Sequence, residues 1–206
     1  MKEFWDARYR ELAYAYGKEP NVFLAEQLPK LIPGKALFVA EGEGRNAVFA
    51  ARLGWEVDAF DISESGKGKA DALAKENNVQ LNYRIESVLD IELQSEYYDL
   101  IVFVFTHFPE GMRQAAFERV LKSLNPGGVV ILECFSKDHL NYNAHNNSGG
   151  PREASMLYDE EVLCDLMCDC ETVLMAKEVV VLKEGPYHDG EGSVMRFVGR
   201  KKDSIR

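Results

Sequence analysis

The sequence predicts an α/β domain on a doubly wound, mostly parallel sheet that ends in a C-terminal antiparallel hairpin. Three observations carry this. Short apolar runs alternate with amphipathic segments through most of the chain, the pattern of strands crossed over by helices. A glycine-bearing turn, Glu41-Gly42-Glu43-Gly44-Arg45-Asn46-Ala47, links the first run to a helix. The last two apolar runs are separated by turn residues alone, which suits antiparallel pairing.

Each element has its own signal. A first helix is expected over residues 2–16, with Phe4, Trp5, Tyr9, Leu12 and Tyr16 at helical spacing. A second starts after Asn21 as N-cap and carries Phe23, Leu24 and Leu28. Strands are expected at residues 36–40, 56–60, 80–85, 100–105 and 129–132, each rich in Val, Ile, Leu or Phe. Helices fall between them: residues 46–53 closed by Gly54 in the left-handed position, residues 63–77 capped by Ser63, and residues 112–124 stopped by Asn125-Pro126-Gly127-Gly128. Residues 137–151 are polar and read as a long loop, a length that usually carries function. A short helix capped by Asp159 precedes the hairpin strands at residues 178–182 and 194–198.

Composition narrows the function. The 206 residues suit one domain spanning the chain, and 46% hydrophobic with 28% charged residues is ordinary for a globular protein. A net charge of −10 opposes binding to nucleic acid or to an anionic membrane surface. No apolar stretch approaches the ~20 residues of a membrane span, and the N-terminus shows no secretory pattern. Four cysteines are too few for a disulfide framework at this size, so a soluble cytoplasmic protein, monomer or homodimer, is expected. No metal site is expected either. Cys164, Cys168 and Cys170 lie on or beside an apolar helix without a fourth ligand.

The glycine turn is the strongest chemical signal. Gly42, Gly44 and Ala47 fit the spacing that lets a ligand approach backbone N–H groups, and Asp61, about 20 residues on, is placed to accept from a ribose diol. A nicotinamide dinucleotide would bring a pyrophosphate to this turn, where Glu41 and Glu43 repel it. S-adenosylmethionine (SAM) brings an ammonium and a sulfonium and no phosphate, which the two acids attract. An NAD(P)-dependent oxidoreductase is the alternative enzyme, and a non-catalytic SAM-binding sensor a third reading. Glu43 also reads as a solvated loop acid.

The run Phe38-Val39-Ala40-Glu41-Gly42-Glu43-Gly44-Arg45-Asn46 resembles the first motif of class I SAM-dependent methyltransferases. Its Gly-x-Gly-Arg-Asn is similar to the tellurite-resistance (TehB-like) and thiopurine methyltransferase-like branch. The likeness continues through Phe4-Trp5-Asp6-x-x-Tyr9, Asp61-Ile62-Ser63, Tyr98-Asp99-Leu100-Ile101, Leu124-Asn125-Pro126-Gly127-Gly128 and Gly149-Gly150-Pro151. It implies a Rossmann-like, seven-stranded sheet, with residues 1–34 as helices covering the cofactor site. It implies that SAM lies against Glu41, Gly42, Glu43, Gly44, Arg45 and Asn46, its ribose on Asp61 and its adenine by Ile62, Ser63, Ser87 and Val88. Phe103 would lie beneath the methyl group, and Trp5 and Tyr9 would close over the cofactor. Trp5 and Tyr9 equally suit plain amphipathic packing. Ser87 departs from the acid many relatives carry there.

Methyl transfer is an in-line displacement, and alignment alone can offset ~7–11 kcal/mol of barrier. A soft acceptor then needs no strong general base, and the resemblance implies a small one, a thiol or a chalcogen oxyanion such as tellurite. His107, directly after the fourth strand, is the candidate base or anion partner, with a structural histidine as the competing role. Phe108, Arg152, Tyr158 and His188 are the candidate acceptor-binding residues, although an exposed loop position is the commoner fate of an arginine such as Arg152.

Overall fold

In the computed structural model, which describes residues 1–203, the chain forms one seven-stranded sheet. The elements run α1 (Lys2–Tyr9), α2 (Val22–Gln27), β1 (Lys35–Val39), α3 (Arg45–Arg52), β2 (Glu56–Asp61), α4 (Glu64–Glu76) and β3 (Asn82–Ile85). They continue through β4 (Tyr98–Val104), α5 (Glu110–Leu121), β5 (Leu124–Phe135), α6 (Glu160–Leu166), β6 (Cys170–Lys183) and β7 (Asp189–Lys201). The strand order is β3-β2-β1-β4-β5-β7-β6. The first five strands pair in parallel, while β7 lies antiparallel between β5 and β6. This is the expected fold, and its chain reversal beside β1 opens a crevice at the carboxyl ends of β1 and β4.

Alternation along the central strands builds two apolar layers. Leu37, Val39, Ile101, Phe103, Val130 and Leu132 face α5 and α6, where Phe117, Val120 and Leu163 meet them. Ala36, Phe38, Leu100, Val102, Val129 and Ile131 face the other way, onto Phe23, Leu24, Leu28, Ala47 and Ala70. Buried on both faces, these strands read as continuous apolar runs, as parallel sheets do.

Local caps behave as the residue types require. The Asn21 side chain accepts from Leu24 N–H, Ser63 from Gly66 N–H and Asp159 from Val162 N–H. Gly54 follows α3 with φ +92°, the left-handed geometry expected of it.

Two elements differ from expectation. The first helix stops at Tyr9 rather than Tyr16, and Leu12 is fully exposed. Residues 10–17 leave the helix because their backbone is held elsewhere: Glu43 accepts from Ala15 N–H at 2.7 Å, and Arg45 donates to Tyr16 O at 3.0 Å. The hairpin strands are also much longer than their apolar cores, 14 and 13 residues. Their polar ends pair through backbone that hydrophobic patterning does not report.

Candidate cofactor and acceptor site

The turn after β1 is built by backbone that leaves the ordinary regions. Ala40, Gly42 and Gly44 have φ of 51°, 64° and 87°, which swings residues 41–44 across the ends of β1 and β2. Asp61 fixes the swing, its carboxylate accepting from Gly42 N–H at 3.1 Å and Ser63 N–H at 2.9 Å. Tyr83 donates from its hydroxyl to Gly42 O at 2.7 Å. Glu41 accepts from Asn46 and Ala47 N–H at the start of α3, where helix N–H groups lack intrahelical partners.

Both acids are desolvated more than they are compensated. Burial pushes Glu41 up to about 7 against the pull of those two N–H groups and Arg45. It pushes Asp61 up to about 6 against the N–H groups of Ser63, Gly42 and Ile62. Such acids are completed by a ligand that brings positive charge and hydroxyl donors, as SAM does.

The N-terminal helix lies over this turn. Asp6 accepts from Ser63 Oγ at 2.6 Å, tying α1 to the start of α4. Trp5 stacks on Tyr9 at 5.4 Å between ring centroids. Tyr9 is buried so close to Gly42 that a Cβ there would sit 2.6 Å from the phenol oxygen. Tyr9 thus packs against the turn, with Trp5 stacked on its outer side.

Glu43 is neither a solvated loop acid nor open to a ligand. It is buried, bridged to Lys69 at 2.6 Å and clamped on Ala15 N–H. Arg45 and Asn46 likewise turn away from the crevice. Arg45 pairs with Glu184 at 2.9 Å, and Asn46 accepts from Asn21 N–H at 2.9 Å. Ser63 spends its hydroxyl on Asp6 and Gly66 N–H. These four residues frame the turn. Ile62 and Ser87 remain partly exposed at its rim, while Val88 is buried in the core.

The acceptor-side expectations change more. Phe103 is buried against Phe117, with 4.5 Å between centroids; Phe105, two residues on, is the side chain at the strand end. With φ 50° it occupies backbone that costs a non-glycine residue about 1–3 kcal/mol and that clusters at functional sites. Phe108 is 7% exposed, edge-on to Phe117. Tyr158 is fully buried and donates to Thr106 O. Neither presents a surface to an acceptor; both are core struts. Arg152 is exposed on its loop.

His107 has both ring nitrogens engaged by backbone. Nδ1 donates to Met156 O at 2.8 Å, and Nε2 accepts from Phe135 N–H at 3.3 Å. Only the neutral Nδ1–H tautomer satisfies both, and burial lowers its pKa to about 3. As placed, it orders the loop after β4 and has no lone pair left for an acceptor. His188 is differently placed. It is buried against Phe105 and Tyr16, at 4.5 Å from each ring, with Nδ1 3.5 Å from Glu184.

A buried polar network behind these rings has no counterpart in the sequence expectations. Asn21 donates to Glu133 at 2.6 Å and to Glu184 at 3.1 Å. Arg196 pairs with Glu133 at 2.6 Å and Arg45 with Glu184. Two acids and two arginines balance, joining the glycine turn, the N-terminal segment, β5 and the β6–β7 turn. One signal was available: Glu133 interrupts the apolar run Val-Val-Ile-Leu-Glu-Cys-Phe, and a lone buried acid needs a partner.

Known proteins share this fold. Residues 36–128 match a family model described as a methyltransferase domain, a span from β1 through the glycine turn to the start of β5. The chain is 29% identical over 101 residues to the ubiquinone biosynthesis O-methyltransferase of Rickettsia akari (strain Hartford), covering 49% of this chain and 40% of that one. It spans less than half the length of the curated relatives it matches. A protein solved in work on the conversion of a disulfide bond into a thioacetal group during echinomycin biosynthesis has a similar fold, with TM-score 0.81 and 17% identity over 100% of this chain and 93% of that one. TehB from Haemophilus influenzae is similar at TM-score 0.72 and 18% identity, over 98% and 67% of the two chains.

The segment that carries the glycine turn thus matches a methyltransferase domain, on a fold shared with solved methyltransferases.

The raised pKa values give a pH dependence with a definite sign. An acid whose folded pKa exceeds its unfolded one keeps its proton longer in the fold. From about pH 4 to about 7 the unfolded chain therefore binds fewer protons, and stability of the ligand-free protein falls as pH rises. A cationic ligand relieves the ionised pair. The melting-temperature gain from SAM is expected to be larger near pH ~8 than near pH ~5.5. Scanning calorimetry at the two pH values checks this, and equal gains would mean that Glu41 and Asp61 do not face the ligand.

Proposed function

We propose that this protein is an enzyme that transfers the methyl group of SAM to a small-molecule nucleophile, a thiol or a chalcogen oxyanion such as tellurite. The observation that carries this reading is the meeting of an acid-lined glycine turn with the Tyr16, Phe105 and His188 rings at the same end of the sheet. Bound there, SAM supplies an electrophilic methyl group on a sulfonium sulfur.

The chain's own residues do the rest. Glu41 and the Gly42 turn would hold the methionine end, Asp61 the ribose hydroxyls, and Ile62 the adenine, with Trp5 and Tyr9 closing from α1. Tyr16, Phe105 and His188 would flank the acceptor, where apolar walls keep water out and alignment lowers the barrier. The net charge of −10 disfavours a nucleic-acid acceptor. Among the described residues, no helix is long and apolar enough to cross a membrane. We place the protein in the cytoplasm. All of these side chains come from one chain, so a monomer or a homodimer would serve.

The test is S-adenosylhomocysteine release from SAM with 2-mercaptoethanol, catechol, selenite and tellurite as acceptors. Release above the acceptor-free control is expected with at least one. Methylation of tRNA or protein with none of the small acceptors would overturn the acceptor class. Binding of SAM without turnover on any acceptor would favour the sensor.

A further inference from the structure

His188 differs from the other histidines in its bonding. His107 and His139 each have both ring nitrogens engaged by backbone groups, and His145 is exposed on the loop. His188 alone faces a carboxylate, Glu184, through Nδ1. Its Nε2 makes no hydrogen bond among the described residues. Nor is it one of the fully enclosed unpartnered atoms, which are Trp55 Nε1, Glu86 Oε2, Arg113 Nε and Ser148 Oγ. One nitrogen is oriented and the other is left with a lone pair, the arrangement of a base held by a carboxylate.

Position agrees with bonding. Phe105, directly after β4, and Tyr16, from the segment strapped over the glycine turn, both lie against the His188 ring. Glu184 also bonds Arg45, the first residue of α3 after the glycine turn. The loop carrying Gly149 is packed on the same ring, where an added Cβ would sit 2.8 Å from His188 Cδ2. The dyad is therefore joined to the cofactor turn by one side chain and roofed by the polar loop.

We propose that His188 accepts the proton of the methyl acceptor, with Glu184 as its positioning residue, so that the acceptor is a protic nucleophile such as a thiol or phenol. This rests on the methyl-transfer reading. As the acceptor's sulfur or oxygen forms its bond to the methyl carbon, the carbon–sulfonium bond breaks. Its electron pair stays on sulfur, giving S-adenosylhomocysteine. The acceptor's proton passes to His188 Nε2 and then to solvent. Charge around the ring suits this cycle. Burial and Arg45 lower the His188 pKa while Glu184 raises it, leaving it below its ordinary value and neutral before transfer. The facing titratable groups are Glu184, Arg45, Tyr16, His107 and His139.

The experiment has two arms. In nitrogen-15 NMR of histidine-labelled protein near pH ~7, His188 is expected as the neutral Nδ1–H tautomer, its Nε2 unprotonated. An Nε2–H tautomer or an imidazolium would overturn the proposal, whether or not an acceptor turns over. In the kinetic arm, 2-mercaptoethanol, catechol and tellurite are the probes. His188→Ala is expected to lower turnover of the thiol or phenol by ~100-fold or more at unchanged SAM affinity, with partial rescue by added imidazole. Glu184→Gln is expected to lose less and to shift the acid limb of the pH–rate profile. Turnover by His188→Ala within about threefold of wild type, or methyl transfer to tellurite alone, would overturn the dyad while sparing methyl transfer. No turnover of any probe counts against methyl transfer itself, and the tautomer still decides the dyad.

Discussion

Arg45→Met is expected to cost about 3–5 kcal/mol of folding stability, the usual consequence of stranding a buried charge. Arg45 and Glu184 are each buried to within 7–8% of full enclosure. Although burial alone would raise the Glu184 pKa, His188 and Arg45 hold it down to about 2, so the carboxylate is ionised at every ordinary pH. Methionine approximates the arginine stem but takes away both the counter-ion and the donor to Tyr16 O. What is lost is thus chiefly electrostatic. Two controls identify the cause. The double variant Arg45→Met/Glu184→Gln is expected to recover part of the loss, because no lone charge remains. A folded pKa below the unfolded one adds stability above about pH 4 that disappears as pH falls toward 2. The gap between wild type and Arg45→Met should close over that range. Urea unfolding measures both, and a single-variant loss under about 0.5 kcal/mol would mean that the network does not hold the turn.

Gly44→Val is the second large effect, and the structure changes its cause. From sequence alone, Gly44 is the residue that lets a ligand approach the backbone, so its replacement should cost binding and leave the fold. In the structure an added Cβ would sit 2.6 Å from Ala70 Cβ and 2.8 Å from Ala70 Cα, and the residue has φ +87°. The clash is with α4, not with a ligand. Left-handed backbone costs a non-glycine residue about 1–2 kcal/mol, and overpacking typically 1–3 kcal/mol more. We expect a loss of about 3 kcal/mol or more in urea unfolding, with SAM affinity reduced as a consequence. A variant that melts like wild type yet binds no SAM would restore the original cause.

These two residues show where the sequence was informative. Strand positions, the C-terminal hairpin and most caps follow from apolar periodicity and from Asn21, Ser63 and Asp159, because those signals are local. Glu41, Gly42 and Asp61 were legible for the same reason: acid, glycine and strand-end acid sit at fixed offsets. The Arg45 and Glu184 pair is 139 residues apart in the chain, and no spacing rule joins them. His107 misled for a related reason. Its position after β4 is local information, whereas the engagement of its ring by Met156 O and Phe135 N–H comes from distant segments. The early end of α1 is likewise decided by Glu43 and Arg45, not by helix propensity.

SAM is expected to bind on the Glu41–Gly44 turn. The most direct test is thermal unfolding with SAM, S-adenosylhomocysteine, NAD and NADP, each at the same concentration. A ligand at about 100 times its dissociation constant stabilises by ~2.7 kcal/mol. SAM and S-adenosylhomocysteine are expected to raise the melting temperature by several degrees, and the dinucleotides to leave it unchanged. Stabilisation by NAD or NADP with none by SAM would contradict this.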